Sequence, residues 1–374
     1  MNAKPLAILR LGASILVLAA FILTPHGTLA EPQPSQIPLP NQKSIVNSCA
    51  DSALACSGAQ ILPGPFTKST ENPILEPGGV GSWEENGAIR PSVTWADGTY
   101  RMWYTGSNAT FTSAIGYATS SNGTVWTKET TNPVLENGDP GTWDDYSVSY
   151  GSVIQDGDGF KMWYTGTGPG AGGIGSVRKI GMATSTDGIF WTKNASNPVL
   201  DVGPTGAWDA GQVSMPTVFQ AGGGYHMWYS VGITGASGIG HATSPDGTTW
   251  IKDPANPVIP GNSGEWDDIV FAPFVLYDGC FFQMFYSGCD GTGICQIGYA
   301  RSLDGTSWSR RGVVLPIGST GNFDSGIVGY PSAMLGVPYY RLFYTGALED
   351  EPYHIGLAIA LRLDKEIFLP AIIK

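Results

Sequence analysis

The sequence predicts an all-β chain: a five-bladed β-propeller of four-stranded antiparallel blades, the ring closed by an N-terminal strand that joins the last blade. Three observations predict it. An aromatic inside an M-W-Y-like run recurs at Trp103, Trp163, Trp228, Phe285 and Phe343, in steps of 57 to 65 residues. A second aromatic keeps the same rhythm at Trp83, Trp143, Trp208, Trp266 and Phe323. A period this long, repeated five times, marks an array of supersecondary units. The third observation is an incomplete last unit. It has no D-G-x-x-W…N-P-V-L segment, yet that piece stands at the other end of the chain as Phe66-Thr67-Lys68 followed by Asn72-Pro73-Ile74-Leu75. Supplying it from there leaves no open sheet edge, which an unclosed array would expose.

Each unit reads as four short strands. In the second unit the first strand is apolar with small residues (148–154), and the next is the run 161–165. In the first unit the third strand is Ile-Gly-Tyr-Ala-Thr-Ser (115–120), and the fourth starts at a Trp. Runs rich in Val, Tyr, Trp, Ile and Thr, broken by Gly, Asp and Asn, are the signature of strands and turns. Asp97-Gly98, Asp187-Gly188, Asp246-Gly247 and Asp304-Gly305 suit tight turns with positive φ. Helical spacing of apolar residues is confined to the N-terminus.

The chain divides into four parts. Residues 1–30 read as a secretory signal: Lys4 and Arg10, the apolar run 11–23, and Ala30 at a small-residue cleavage position. Residues 31–62, rich in Pro and Ser, read as a tether; 63–361 form the propeller, and 362–374 an apolar tail. The protein is therefore expected outside the cell, with no membrane span once the signal is removed. In that oxidising setting Cys49 and Cys56 are one pair and Cys289 and Cys295 another, leaving Cys280 over. The 374 residues carry a formal charge of −12. No basic stripe exists to neutralise phosphates, which excludes a nucleic-acid partner. No Cys or His spacing suits a metal, and no cofactor is expected.

In a propeller the loop entering each blade opens on the same face as the loop between second and third strands. The remaining turns lie opposite, so Asp187, Asp246 and Asp304 are expected to cap turns there. The entry loops bring an acid directly after the aromatic in all five units: Glu84, Asp144, Asp209, Asp267 and Asp324. A feature repeated in every blade serves the blade. The next position varies, as Glu85, Asp145, Ala210, Asp268 and Ser325, so acids there are better candidates for chemistry.

The units resemble the five-bladed propeller glycosidases of the arabinanase, β-xylosidase, levansucrase and invertase superfamily, and the related mannoside phosphorylases. The resemblance spans about 66–360 and is carried by P-S-V-T-W-A-D-G-T-Y-R-M-W-Y-T-G, I-G-Y-A-T-S-x-D-G-x-x-W and N-P-V-L. It implies a carbohydrate ligand in the central funnel, held between one acid and one base. In the relatives a base Asp often directly precedes a Pro of a first strand, and an acid Glu lies two before another. The residues preceding Pro91, Gly151, Pro216, Pro273 and Pro331 here are Arg90, Tyr150, Met215, Ala272 and Tyr330; neither they nor their predecessors are acids.

The leading expectation is a secreted glycoside hydrolase with Asp145 and Asp268 as its acid and base, and Glu85 and Asp209 in reserve. Arg90, Tyr150 and Tyr330 are expected to hold the sugar. The alternative is a non-catalytic glycan-binding propeller, which the missing strand carboxylates favour. A third reading is a calcium-held scaffold with Glu349, Asp350 and Glu351 as ligands.

Overall fold

A computed structural model describes residues 62–168, 177–232, 237–336, 338–348 and 351–363. The signal, most of the tether and most of the tail lie outside them. The described residues form strands and no helix.

The first repeat contributes Gly87–Ala96, Thr99–Ser107, Ser113–Ser120 and Thr127–Lys128, paired antiparallel in that order. The second contributes Ser147–Asp156, Gly159–Thr167, Arg178–Ser185 and Thr192–Lys193. The third contributes Ser214–Ala221, Gly224–Val231, Gly238–Ser244 and Ile251–Lys252, with Ile259–Pro260 added beside its third strand. The fourth has Ile269–Tyr277, Phe282–Cys289, Cys295–Ser302 and Ser309–Leu315. The fifth has Ile327–Leu335, Tyr339–Ala347 and His354–Leu363. A single parallel bridge, Cys295 to Ile327, joins these last two repeats into one nine-stranded sheet.

The incomplete repeat is completed from the N-terminal side. Thr67 and Lys68 pair antiparallel with Ile359 and Ala358. Leu62 and Pro63 pair with Leu363 and Arg362. Asn72 donates to the Tyr344 hydroxyl and the Leu357 carbonyl, and accepts from the Leu357 amide. Asn132 plays the same part on Tyr117 in the first repeat, Asn197 on Met182 in the second and Asn256 on His241 in the third.

The core lies between successive sheets. Trp103, Ile115 and Tyr117 of the first repeat pack with Val148, Phe160 and Met162 of the second. Similar clusters join the second repeat to the third, the third to the fourth and the fourth to the fifth. Phe343, Ile355 and Leu357 of the fifth pack with Ala88, Val93 and Tyr100 of the first. Trp103, Trp163 and Trp228 are buried, and each donates its indole N–H across to a neighbouring turn, at the carbonyls of Gly188, Gly247 and Gly305. Aromatics of this size each remove roughly 150–250 Å² from water, so these contacts supply much of the burial. The Gly after Tyr-Thr is demanded by close approach: a Cβ at Gly166 would collide with the Trp143 ring.

The turn readings hold for the glycines, which have positive φ at 98, 188, 247 and 305, but of the four aspartates only Asp97 shares that conformation. Asp97 and Gly98 both have positive φ in a two-residue hairpin. The Asp187 carboxylate accepts from the amides of Ile189 and Phe190, and Asp246 and Asp304 cap their turns likewise. These amide bonds, that of Phe190 above all, lower the Asp187 pKa, while burial opposes them. Cys289 and Cys295 form the expected disulfide. Cys280 is not left over, being disulfide-bonded too, and the expected Cys49–Cys56 pair lies outside the described residues.

Candidate functional site

Every first strand carries the same backbone irregularity. Its register shifts between Ile89 and Ser92, Ser149 and Ser152, Ser214 and Thr217, Phe271 and Phe274, and Gly329 and Ser332. Inside each bulge one residue is left-handed: Arg90 (φ 60°), Tyr150 (55°), Met215 (55°), Ala272 (49°) and Tyr330 (53°). Left-handed backbone at non-glycine residues is strained, by roughly 1–3 kcal/mol each, and persists only where the surroundings impose it. The constraint is a hydroxyl on a neighbouring second strand. Arg90 N donates to Thr345 Oγ1 (2.9 Å), Tyr150 N to Thr105 Oγ1 (3.0 Å) and Met215 N to Thr165 Oγ1 (2.8 Å). Ala272 N donates to Ser230 Oγ and Tyr330 N to Ser287 Oγ, both at 2.8 Å. Two residues on, Ser92, Ser152, Thr217 and Ser332 accept from the amides of Val153, Val218, Val275 and Val93. Phe274 holds the fifth such position without a hydroxyl.

These bulges aim five side chains at one pit of about 40 Å³, lined by Arg90, Tyr150, Met215, Ala272 and Tyr330 and the residues following them. The three expected sugar contacts do come together. The Arg90 guanidinium carbon lies 3.6 Å from the Tyr150 ring centre and 5.1 Å from that of Tyr330. The two tyrosine rings are 5.7 Å apart, and Phe271 packs edge-on to Tyr330 at 5.4 Å. Burial raises the Tyr150 pKa well above the ordinary phenol value against the opposing pull of Arg90, so the hydroxyl stays protonated.

The four candidate carboxylates are elsewhere: no acid lines the pit among the described residues. Asp145 accepts from the Gly141 amide (2.7 Å), four residues back in its own entry loop. Glu85 does the same from Gly81 (2.5 Å) and reaches the Ala109 amide (3.1 Å). The Asp268 carboxylate takes no hydrogen bond or ion pair among the described residues, although its carbonyl accepts from Ser237 Oγ (3.4 Å). Asp209 is buried against Lys252 at 2.5 Å.

That last contact belongs to a five-fold pattern. Glu84 pairs with Lys128 (2.6 Å), Asp144 with Lys193 (2.7 Å), Asp267 with Arg310 (3.1 Å) and Asp324 with Lys68 (2.6 Å). Each acid is buried and each base is a fourth-strand residue, Lys68 coming from the N-terminal strand. The hydroxyls of Tyr164, Tyr286 and Tyr344 donate to Asp144, Asp267 and Asp324, and burial with these carboxylates raises the phenol pKa values. The signal was present in the sequence: a fourth-strand Lys or Arg recurs in step with the entry-loop acid, and two opposite charges repeating together point to a pair.

Other residues of the site were not anticipated. Tyr353, between the second and third strands of the fifth repeat, joins the first repeat by backbone hydrogen bonds with Asn86 and Ala88. Burial raises its pKa, against the opposing pull of Arg90. Arg178 donates to Gln212 Oε1 (2.9 Å) and stands within electrostatic reach of Tyr150. Both sit beside the variable loops, where no periodicity marks a residue. Glu349 and Asp350, proposed calcium ligands, lie outside the described residues.

No family model matches the chain. Two uncharacterised proteins of Mycobacterium tuberculosis, from strains CDC 1551 and H37Rv, are each 34% identical over 271 residues, covering 70% of this chain and 83% of the relative. Among solved structures, a glycosyl hydrolase from Bacteroides ovatus superposes with a TM-score of 0.61 at 19% identity, over 80% of this chain and 94% of its own. A structure from the GH130 family of mannoside phosphorylases, described as containing glycoside hydrolases that target β-1,2 mannosidic linkages in Candida mannan, gives 0.61 at 18% identity over 80% and 94%. The resemblance carried by the repeat motifs is thus upheld at the level of fold. The chain belongs to the family of the two mycobacterial proteins, and its fold is that of the propeller glycoside hydrolases.

Proposed function

We infer that the protein is an exported, carbohydrate-recognising propeller of five blades whose glycan site is the axial pit. Export rests on the residues of the 1–30 segment. The closed ring is supported by the hydrogen bonds that run from each repeat to the next and again from Thr345 of the last to Arg90 of the first. The observation that carries the site is the convergence of Arg90, Tyr150 and Tyr330 on left-handed backbone at the axis. A guanidinium and tyrosine hydroxyls donate to the oxygens of a sugar or its substituents, while no acid lines the pit among the described residues.

Binding without hydrolysis is therefore the reading that the geometry favours. The hydrolytic reading keeps Asp145 and Asp268 as acid and base, with Glu85 and Asp209 in reserve. Its support is the group of glycoside hydrolases that share the fold. A glycan array followed by long incubation with each bound glycan separates the two. Retention without new reducing ends supports recognition alone. Cleavage that is abolished in Asp145→Asn and Asp268→Asn assigns the hydrolase, and an array with no bound glycan rejects the carbohydrate reading altogether.

A further inference from the structure

One of the five axial slots holds a cation, Arg90. Arg90 and Arg178 are in no ion pair among the described residues, although the chain as a whole is acidic. The Nε of Arg90 is buried and takes no hydrogen-bond partner among them. The charged neighbours of the Tyr150 hydroxyl are Arg90 and Arg178, with no acid among them. Desolvated guanidinium left without a counter-charge is costly, and stacking on Tyr150 offsets only part of that cost. Among the described residues the guanidinium thus has neither a counter-charge nor a partner for its Nε.

We propose that the pit takes the carboxylate of an acidic sugar, a uronic acid, with Arg90 as its anchor and the sugar ring lying outside on the entry loops. This rests on the carbohydrate reading above. Size and geometry select the group. The pit holds about 40 Å³, a few times what one water requires (~10–15 Å³) and far below the ~300–1,000 Å³ of a pocket that swallows a ligand whole. A carboxylate fits it and a pyranose does not. The planar guanidinium offers parallel N–H donors to two carboxylate oxygens, and the free Nε is one of them. The protonated hydroxyls of Tyr150 and Tyr353, near the same guanidinium, are donors and not competing anions.

The test is calorimetric titration of the full chain with galacturonic and glucuronic acid oligosaccharides, their methyl esters and neutral counterparts. The proposal expects the free acid to bind at least tenfold tighter than its methyl ester, a preference lost in Arg90→Met and weakened by salt. Arg90→Lys, which keeps charge and loses the fork, retains part of it. A thermal melt of each variant confirms folding, and competition by inorganic phosphate against the wild type needs no variant. Equal binding of acid and ester overturns the proposal while leaving carbohydrate recognition standing. A phosphorylated sugar, or phosphate itself, bound in preference to the uronate overturns it in favour of another oxyanion. Failure of every glycan to bind rejects the underlying reading and this proposal together.

Discussion

The rim and the axis of the repeats obey one backbone plan and opposite side-chain rules. At the rim all five repeats carry an acid joined to a fourth-strand base, and the only variation is Glu for Asp or Arg for Lys. At the axis all five repeats carry the same bulge and the same amide-to-hydroxyl bond, but the side chains are Arg, Tyr, Met, Ala and Tyr. Repetition of a side chain therefore marks what holds a sheet together. Repetition of the backbone without the side chain marks a framework left open to choice. The carboxylates chosen for chemistry by sequence straddle this line: Asp209 belongs to the rim pairs, and Glu85 and Asp145 cap their own loops.

The comparison can be broken by measurement. Removing residues 62–75 takes away the strand at Thr67–Lys68, the Lys68 pair with Asp324 and the Asn72 bonds at once. The expected result is the largest loss of melting temperature, exceeding any single substitution. Asp144→Ala removes a buried acid that serves Lys193 and Tyr164; urea unfolding should read a loss of about 3 kcal/mol, at the low end for a buried pair because the lysine is partly hydrated. Thr105→Val leaves the Tyr150 amide without its acceptor and should cost ~1–3 kcal/mol, together with a displaced Tyr150. Arg90→Met should change stability least, by less than ~1 kcal/mol, and ligand binding most. A cost as large as that of Asp144→Ala would erase the distinction between rim and axis.

A pH series probes His226, a second-strand residue of the third repeat that contacts His241. Burial, reinforced by His241, lowers the His226 pKa from 6.5 to about 4. The unfolded chain then takes up this proton first as the pH drops. Its contribution is intact above pH 6.5 and is lost progressively toward pH 4. His226→Phe should flatten the melting curve of the protein in that window relative to wild type, with the wild type falling more steeply on acidification.

Much of this architecture was legible because it rests on periodic signals. The Trp103-type aromatics, the Asp-Gly turns and the strand transplanted from Phe66 onward each repeat at a fixed spacing, and each is realised as read. The single bridge between Cys295 and Ile327 was not legible, since one backbone pair leaves no pattern. At the site, Arg90, Tyr150 and Tyr330 were readable from their place before Pro91, Gly151 and Pro331. Tyr353 and Arg178 were not, because their nearness to the axis is set by loop paths and not by residue type. The entry-loop acids were legible only in part: position after an aromatic says which loop carries them, but not that Gly141 or Lys252 engages them.

The strand at Thr67–Lys68 also sets an order of events. It is synthesised long before Ile359 and Ala358, the residues it pairs with, and until they emerge its backbone donors and its lysine have nowhere native to go. The fifth sheet is therefore finished last and jointly by both ends of the chain, so a ribosome that stalls anywhere before 360 releases a molecule with an unlatched edge.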